Sequence, residues 1–191
     1  MTDALTLTLP GWQGSGPGHW QSLWEAAHGY QRVEQHDWLR PLRGDWSARL
    51  EEVLLDTAAG GRGPAVLVAH SLGCMLVAAW AAHSRNTQRV KAALLVAPPD
   101  VERADLREVL PGWSAVPLQA LPFPALVLAS SNDPFCDLVR AKAFAAAWGA
   151  DLMDVGPCGH INADSGLGDW PHAHDQLQRL QSLVTPAGTL P

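Results

Sequence analysis

The stretch PAVLVAHSLGCMLVAAW, residues 64–80, decides the architecture. Its first part, Ala65 to Ala69, is an unbroken apolar run, the pattern of a strand buried on both faces. Its last part is a long apolar segment that predicts a buried helix over 72–83. A single serine, Ser71, stands between the two, so the chain must reverse direction sharply at that residue. Strand, tight turn and helix in immediate succession are the repeating unit of a parallel sheet covered by helices.

The same alternation continues outward in both directions. Apolar and polar residues alternate over 4–9, which reads as a strand. Trp20, Leu23, Trp24 and Ala27 recur at helical spacing and predict a helix over 19–27. A short strand is expected over 30–35. Asp45 is the expected N-cap of a helix reaching 58, with Leu50, Val53 and Leu54 on one face. Further buried strands are expected over 90–97 and 123–130, and an Ala-rich helix over 134–148 with Pro134 opening it. A last short strand (150–155) and a closing helix (171–183) complete the pattern. There is no internal repeat and no linker, so residues 1–185 are expected to form one domain and 186–191 a frayed tail. The class is α/β, with helices on both faces of a mostly parallel sheet. Sites in such folds lie beyond the carboxyl ends of the strands.

Composition narrows the function classes. The 191 residues are 47% hydrophobic and 17% charged, a globular balance. The net charge of −6 comes without a basic tract, which argues against a nucleic-acid partner. No run approaches the length of a membrane span, and the N-terminus lacks the pattern of a signal peptide. The three cysteines, Cys74, Cys136 and Cys158, are odd in number and lack metal-ligand spacing, which favours a reducing, cytoplasmic setting. The eight histidines are scattered, and His172 with His174 would diverge on a helix. No metal and no organic cofactor is expected.

The turn itself carries chemistry. Ala69-His70-Ser71-Leu72-Gly73 is a small-x-Ser-x-Gly pentad at a strand-to-helix junction, the form of a nucleophile elbow. Such a turn lifts the serine Oγ above the sheet and sets the helix N-terminus behind it. The Leu72 N–H then faces a developing oxyanion. A serine needs a base. His160, in the loop after the last strand, is the candidate, whereas His172 and His174 fall in or near the closing helix. The acid is expected at Asp133, where a strand ends. Asp137 lies a turn into the expected helix, Asp154 lies in a strand, and Asp164 is too close along the chain to His160. The glycine-rich loop 10–20 follows the first strand, and the Trp12 N–H is the candidate second oxyanion donor. Its glycines at 14, 16 and 18 do not fit a dinucleotide-binding fingerprint.

Taken together, PGWQGSGPGHW, QHDWLRP, VAHSLGC, LLVAPPDV, LPFPALVLASSNDPFC and GHINADSGLGDWP give the chain a specific likeness spanning 5–183. It resembles the small α/β-hydrolases of the retinoblastoma-binding-protein-9 type, compact serine hydrolases. The resemblance implies a sheet of about six strands without the initial hairpin of larger hydrolases, and no large cap domain. It implies Ser71, Asp133 and His160 as a triad. Pro10 stands where many α/β-hydrolases have His before Gly, and Ala69 replaces the first Gly of the elbow. The expected activity is hydrolysis of small acyl esters through an acyl-enzyme. The alternatives are an amidase or aminopeptidase with the same triad, or an interaction module of the same fold with vestigial activity. A protein partner is not indicated. Among nine tryptophans, Trp12, Trp20, Trp38, Trp46, Trp113 and Trp170 fall near loops and helix starts, as pocket walls or as packing. The site is expected to be a shallow open cleft; residues 98–121 are the one segment long enough to roof it, and a channel lined by Val109, Leu110 and Trp113 is the alternative.

Overall fold

The computed structural model of the chain describes residues 5–184; the expected tail at 186–191 lies outside them. Six strands form one sheet: β1 (Thr6–Leu9), β2 (Gln31–Arg32), β3 (Ala65–His70), β4 (Val90–Val96), β5 (Ala125–Ala129) and β6 (Asp151–Asp154). Their order is β2-β1-β3-β4-β5-β6, and every neighbouring pair is parallel. Among the described residues the α-helices are α1 (Trp20–His28), α2 (Arg43–Ala59), α3 (Leu72–His83), α4 (Ala104–Val109), α5 (Leu138–Trp148) and α6 (Pro171–Val184). The described residues thus form one α/β unit, with helices on both faces of a wholly parallel sheet.

Two cores sandwich the sheet. One face carries Leu7, Leu67, Leu95 and Val127 against the buried sides of α2, α3 and α5. The other carries Val66, Val68, Leu94 and Leu128 against Trp20 and Trp24 of α1 and Leu177 and Leu180 of α6. Adjacent residues of β3 thus point to opposite cores, which is why all six are buried and apolar through Ala69. In α3 every residue from Leu72 through Trp80 is buried, as its uniformly apolar sequence requires.

Three local expectations are corrected. Helix α2 starts at Arg43 with Leu42 at the N-cap, and Asp45 sits in its first turn, where its charge favours the helix dipole. Strand β2 keeps only two residues, Gln31 and Arg32, paired with Leu7 and Thr8 of β1 at the sheet edge. Helix α5 begins at Leu138 and not at Pro134, so Asp137 is its N-cap and not a residue within it. The reversal of strand order falls between β1 and β3, so the loops that follow these two strands diverge around a common crevice.

Candidate active site

The end of β3 is built by backbone contact. Ser71 takes φ 53 and ψ −123, a conformation rarely open to a side-chain-bearing residue. It stands at the N-cap position of α3, yet its hydroxyl makes no capping bond. Gly73 explains how the turn closes. A Cβ there would lie 2.2 Å from the Leu9 carbonyl oxygen. Gly11, in the loop after β1, is equally constrained, since a Cβ would lie 2.7 Å from the Ser71 Cβ. The β1 loop and the elbow thus touch backbone to backbone, with Trp12 next to the contact and Leu72 as the first residue of α3.

The hydroxyl is engaged elsewhere. Ser71 Oγ donates to His160 Nε2 at 2.8 Å, and His160 Nδ1–H donates to Asp133 Oδ2 at 2.9 Å and Oδ1 at 3.0 Å. A carboxylate only accepts, so the neutral ring carries its proton on Nδ1 and offers the Nε2 lone pair to the serine. The His160 and Asp133 side chains are 10% and 3% exposed, which limits competition from water. Asp133 Oδ1 also accepts the Phe135 N–H at 2.9 Å. That bond shapes the turn which delays α5. The Phe135 ring lies edge-on to His160, 4.6 Å between centroids. All three residues expected to act together are therefore in one hydrogen-bonded chain, at the carboxyl ends of β3, β5 and β6. His172 and His174 lie in α6, where His174 bonds Tyr30 Oη at 2.8 Å and stacks on His28.

A family model for serine hydrolases matches residues 6–179. The chain belongs to the serine hydrolase family. Among solved structures, it is similar to a YdeN-like hydrolase from Pectobacterium atrosepticum, with TM-score 0.81 and 28% identity. That match covers 96% of this chain and 93% of the other. The ydeN gene product from B. subtilis gives TM-score 0.73 at 21% identity, covering 94% and 99%. The carboxylesterase CesB from Bacillus subtilis gives 0.61 at 14%, covering 94% and 84%. No functionally curated protein matches the sequence.

The tryptophans of this serine hydrolase act as loop staples. Trp46, Trp12 and Trp113 donate their indole N–H to the carbonyls of Asp37, Leu39 and Pro41, at 3.2, 3.0 and 2.9 Å. Three indoles thereby pin one short segment, and that segment backs the β1 loop through a Gln13 N–H to Trp38 O bond of 2.9 Å. Leu110 and Trp113 are buried in the main core and Val109 is exposed, so these three residues do not line the channel that the alternative to an open cleft requires. The buried thiols are not rival nucleophiles. Burial pushes the Cys74 thiol up, and Cys136 to about 12.

Several contributors to the hydrolase site were not read from the sequence. Ser130 Oγ accepts the Cys158 N–H and Asn132 Oδ1 accepts the Gly159 N–H, at 2.9 and 2.7 Å. They tie the loop that carries His160 to the end of β5. The only sequence signal for Ser130 and Asn132 is their place in SSND, three and one residues before Asp133. Among the described residues no helix is long and apolar enough to cross a membrane.

Proposed function

We propose that this serine hydrolase cleaves small acyl esters through a Ser71–His160–Asp133 triad, within the retinoblastoma-binding-protein-9 type. The observation that carries the reading is the unbroken hydrogen-bond chain from Ser71 Oγ through His160 to Asp133. Ser71 Oγ attacks the ester carbonyl carbon as its proton passes to His160 Nε2. Asp133 holds the ring and stabilises the imidazolium. The carbonyl oxygen becomes an oxyanion, held by the N–H groups of Leu72 and Trp12. The leaving alkoxide takes the proton from His160 and departs as alcohol. Water then attacks the acyl-enzyme, giving a proton to His160, which returns it to Ser71 as the acid leaves. No metal or cofactor enters these steps.

Small substrates fit the absence of a large cap among the described residues and the commitment of Leu110 and Trp113 to the core. Three unpaired thiols suit a reducing cytoplasm. The test is labelling of folded protein with a fluorophosphonate probe, followed by a panel of short acyl esters and aminoacyl amides. A Ser71 adduct and faster ester turnover are expected. No adduct would sink the triad, and faster amide turnover would move the substrate class.

A further inference from the structure

Asp133 fixes the ring of His160, but other groups fix its backbone. The His160 carbonyl oxygen accepts the Nε2–H of His70 at 2.9 Å. The next carbonyl, that of Ile161, accepts the indole N–H of Trp20 at 2.9 Å. His70 is the residue before Ser71, and Trp20 opens α1. Their rings meet edge to face with centroids 6.0 Å apart, and His19 packs against both at 4.7 and 5.2 Å. The loop they hold runs through two residues of left-handed conformation, Gly159 at φ 58 and Ile161 at φ 52. A β-branched residue in that region is strained and persists only where its surroundings hold it.

We infer that His70 and Trp20 are positioning residues, which set His160 over Ser71 by gripping the carbonyls of residues 160 and 161 without touching substrate. The inference rests on the triad proposed above. The choice of donors follows from electrostatics. A carbonyl only accepts, so the His70 proton sits on Nε2. Burial, with His160 and His19 nearby, holds His70 well below the ordinary histidine range, so the ring stays neutral. His160 becomes positive when it takes the serine proton. A lysine or arginine in the place of His70 would also donate, but its charge would oppose that step. The indole of Trp20 is likewise an uncharged donor. Ring packing alone would not require either N–H.

The experiment separates donation from packing. His70→Phe and Trp20→Phe each keep a ring and remove the N–H, and His70→Gln restores a donor at the position of Nε2. Each is compared with wild type in fluorophosphonate labelling rate and in kcat and KM for p-nitrophenyl acetate. A misplacement of about 1 Å at a reacting group costs up to about 100-fold. The two Phe variants are therefore expected to lose about 10- to 100-fold in kcat and labelling with KM little changed, and His70→Gln to recover most of it. Equal losses in His70→Phe and His70→Gln, or no loss in any variant, would overturn the inference. Nitrogen-15 NMR of the unmutated protein gives a reading that needs no variant to fold. The His70 proton is expected on Nε2 throughout, and an Nδ1–H tautomer overturns the inference. Failure of the wild type to label, by contrast, removes the triad itself and the inference with it.

Discussion

Ser71 and His160 face each other at 2.8 Å, yet the two are held in place by opposite means. Ser71 is fixed by backbone packed on backbone. Gly73 and Gly11 allow the elbow and the β1 loop to approach to distances at which a single methyl group collides. His160 sits on a looser loop, where a Cβ on Gly159 would make only an ordinary contact, 3.7 Å from Ser165 Oγ. Its position comes from side chains reaching in from α1, β3 and the end of β5. One half of the site is therefore specified by what is missing, and the other by donors that must be present.

The most damaging changes remove the two groups themselves. Ser71→Ala and His160→Ala are each expected to lower kcat by about 10⁶-fold, leaving only what binding and the oxyanion donors supply. Asp133→Asn is expected to cost about 10⁴-fold by stabilising the wrong tautomer of His160. Asp137 occupies the N-cap position of α5 without a side-chain capping bond and lies outside the relay, so Asp137→Asn is expected to change kcat less than about threefold. Steady-state kinetics on a short ester, with circular dichroism to check folding, decides this. The reverse order for the two aspartates would move the acid to Asp137.

Next in size is the same substitution made in each half. At Gly73 an added Cβ would lie 2.2 Å from a backbone oxygen of β1, so strand or helix must shift. Overpacking of this kind costs about 3 kcal/mol or more. At Gly159 the penalty is only that of a left-handed residue, about 1–2 kcal/mol. Urea unfolding of Gly73→Ala and Gly159→Ala measures both. Equal losses would mean that the two halves are not held differently.

The same contrast governs what a reader of the sequence sees. The elbow is legible because all its parts are neighbours: a buried run, a serine, a small residue and an apolar helix within 64–80. The sheet is legible for the same reason, each strand announcing its own burial. Asp133 and His160 followed from their places at strand ends. The grip on His160 did not. His70 and Trp20 reach across 90 and 141 positions of sequence, and nothing local marks a donor for a distant carbonyl. The start of α5 was misread for a physical reason. Pro134 suits a first helical turn, but the Asp133 carboxylate takes the Phe135 N–H and holds the chain in a turn, and Asp137 is still extended just before the helix starts at Leu138. Trp20 and Trp24 mark a helix by their spacing, but nothing local marks the indole partners: Trp12, Trp20 and Trp113 donate to carbonyls 27, 141 and 72 positions away.

Acid should act on the histidine half. His19 lies beside His70, and burial, reinforced by Arg32 and His160, lowers its pKa from 6.5 to about 4. Between those values the unfolded chain binds a proton that the folded chain refuses, so stability rises with pH. The full contribution is present above about pH 6.5 and is lost as pH falls toward 4. A difference of this size corresponds to about 3 kcal/mol at most. His70 shifts in the same direction. The urea midpoint is expected to fall from pH 7 to pH 4, and to fall less in His19→Asn, whose side-chain oxygen can still accept the Gln21 N–H that His19 Nδ1 accepts at 3.1 Å. An unchanged slope would take His19 out of the account.

The smallest expected effect concerns the space above both halves. Phe135 is 37% exposed and stands against His160, so it offers one apolar wall to an acyl group seated on Ser71. In the 98–121 segment Leu110 and Trp113 face the core, while Val109 and Leu118 are exposed and bury no apolar channel. A buried channel would add about 0.8 kcal/mol per methylene, close to fourfold in kcat/KM for each carbon added. A single wall saturates after a few carbons. Across p-nitrophenyl esters of two to ten carbons, kcat/KM is expected to peak at four or fewer and then decline, with no jump when substrate forms micelles. Phe135→Ala is expected to reduce the butanoate rate several-fold more than the acetate rate, since the ring contacts only the longer chain beyond its carbonyl. A maximum at eight carbons or beyond would mean that the loops close over the site as substrate binds. Residues 98–121 would then act as a lid.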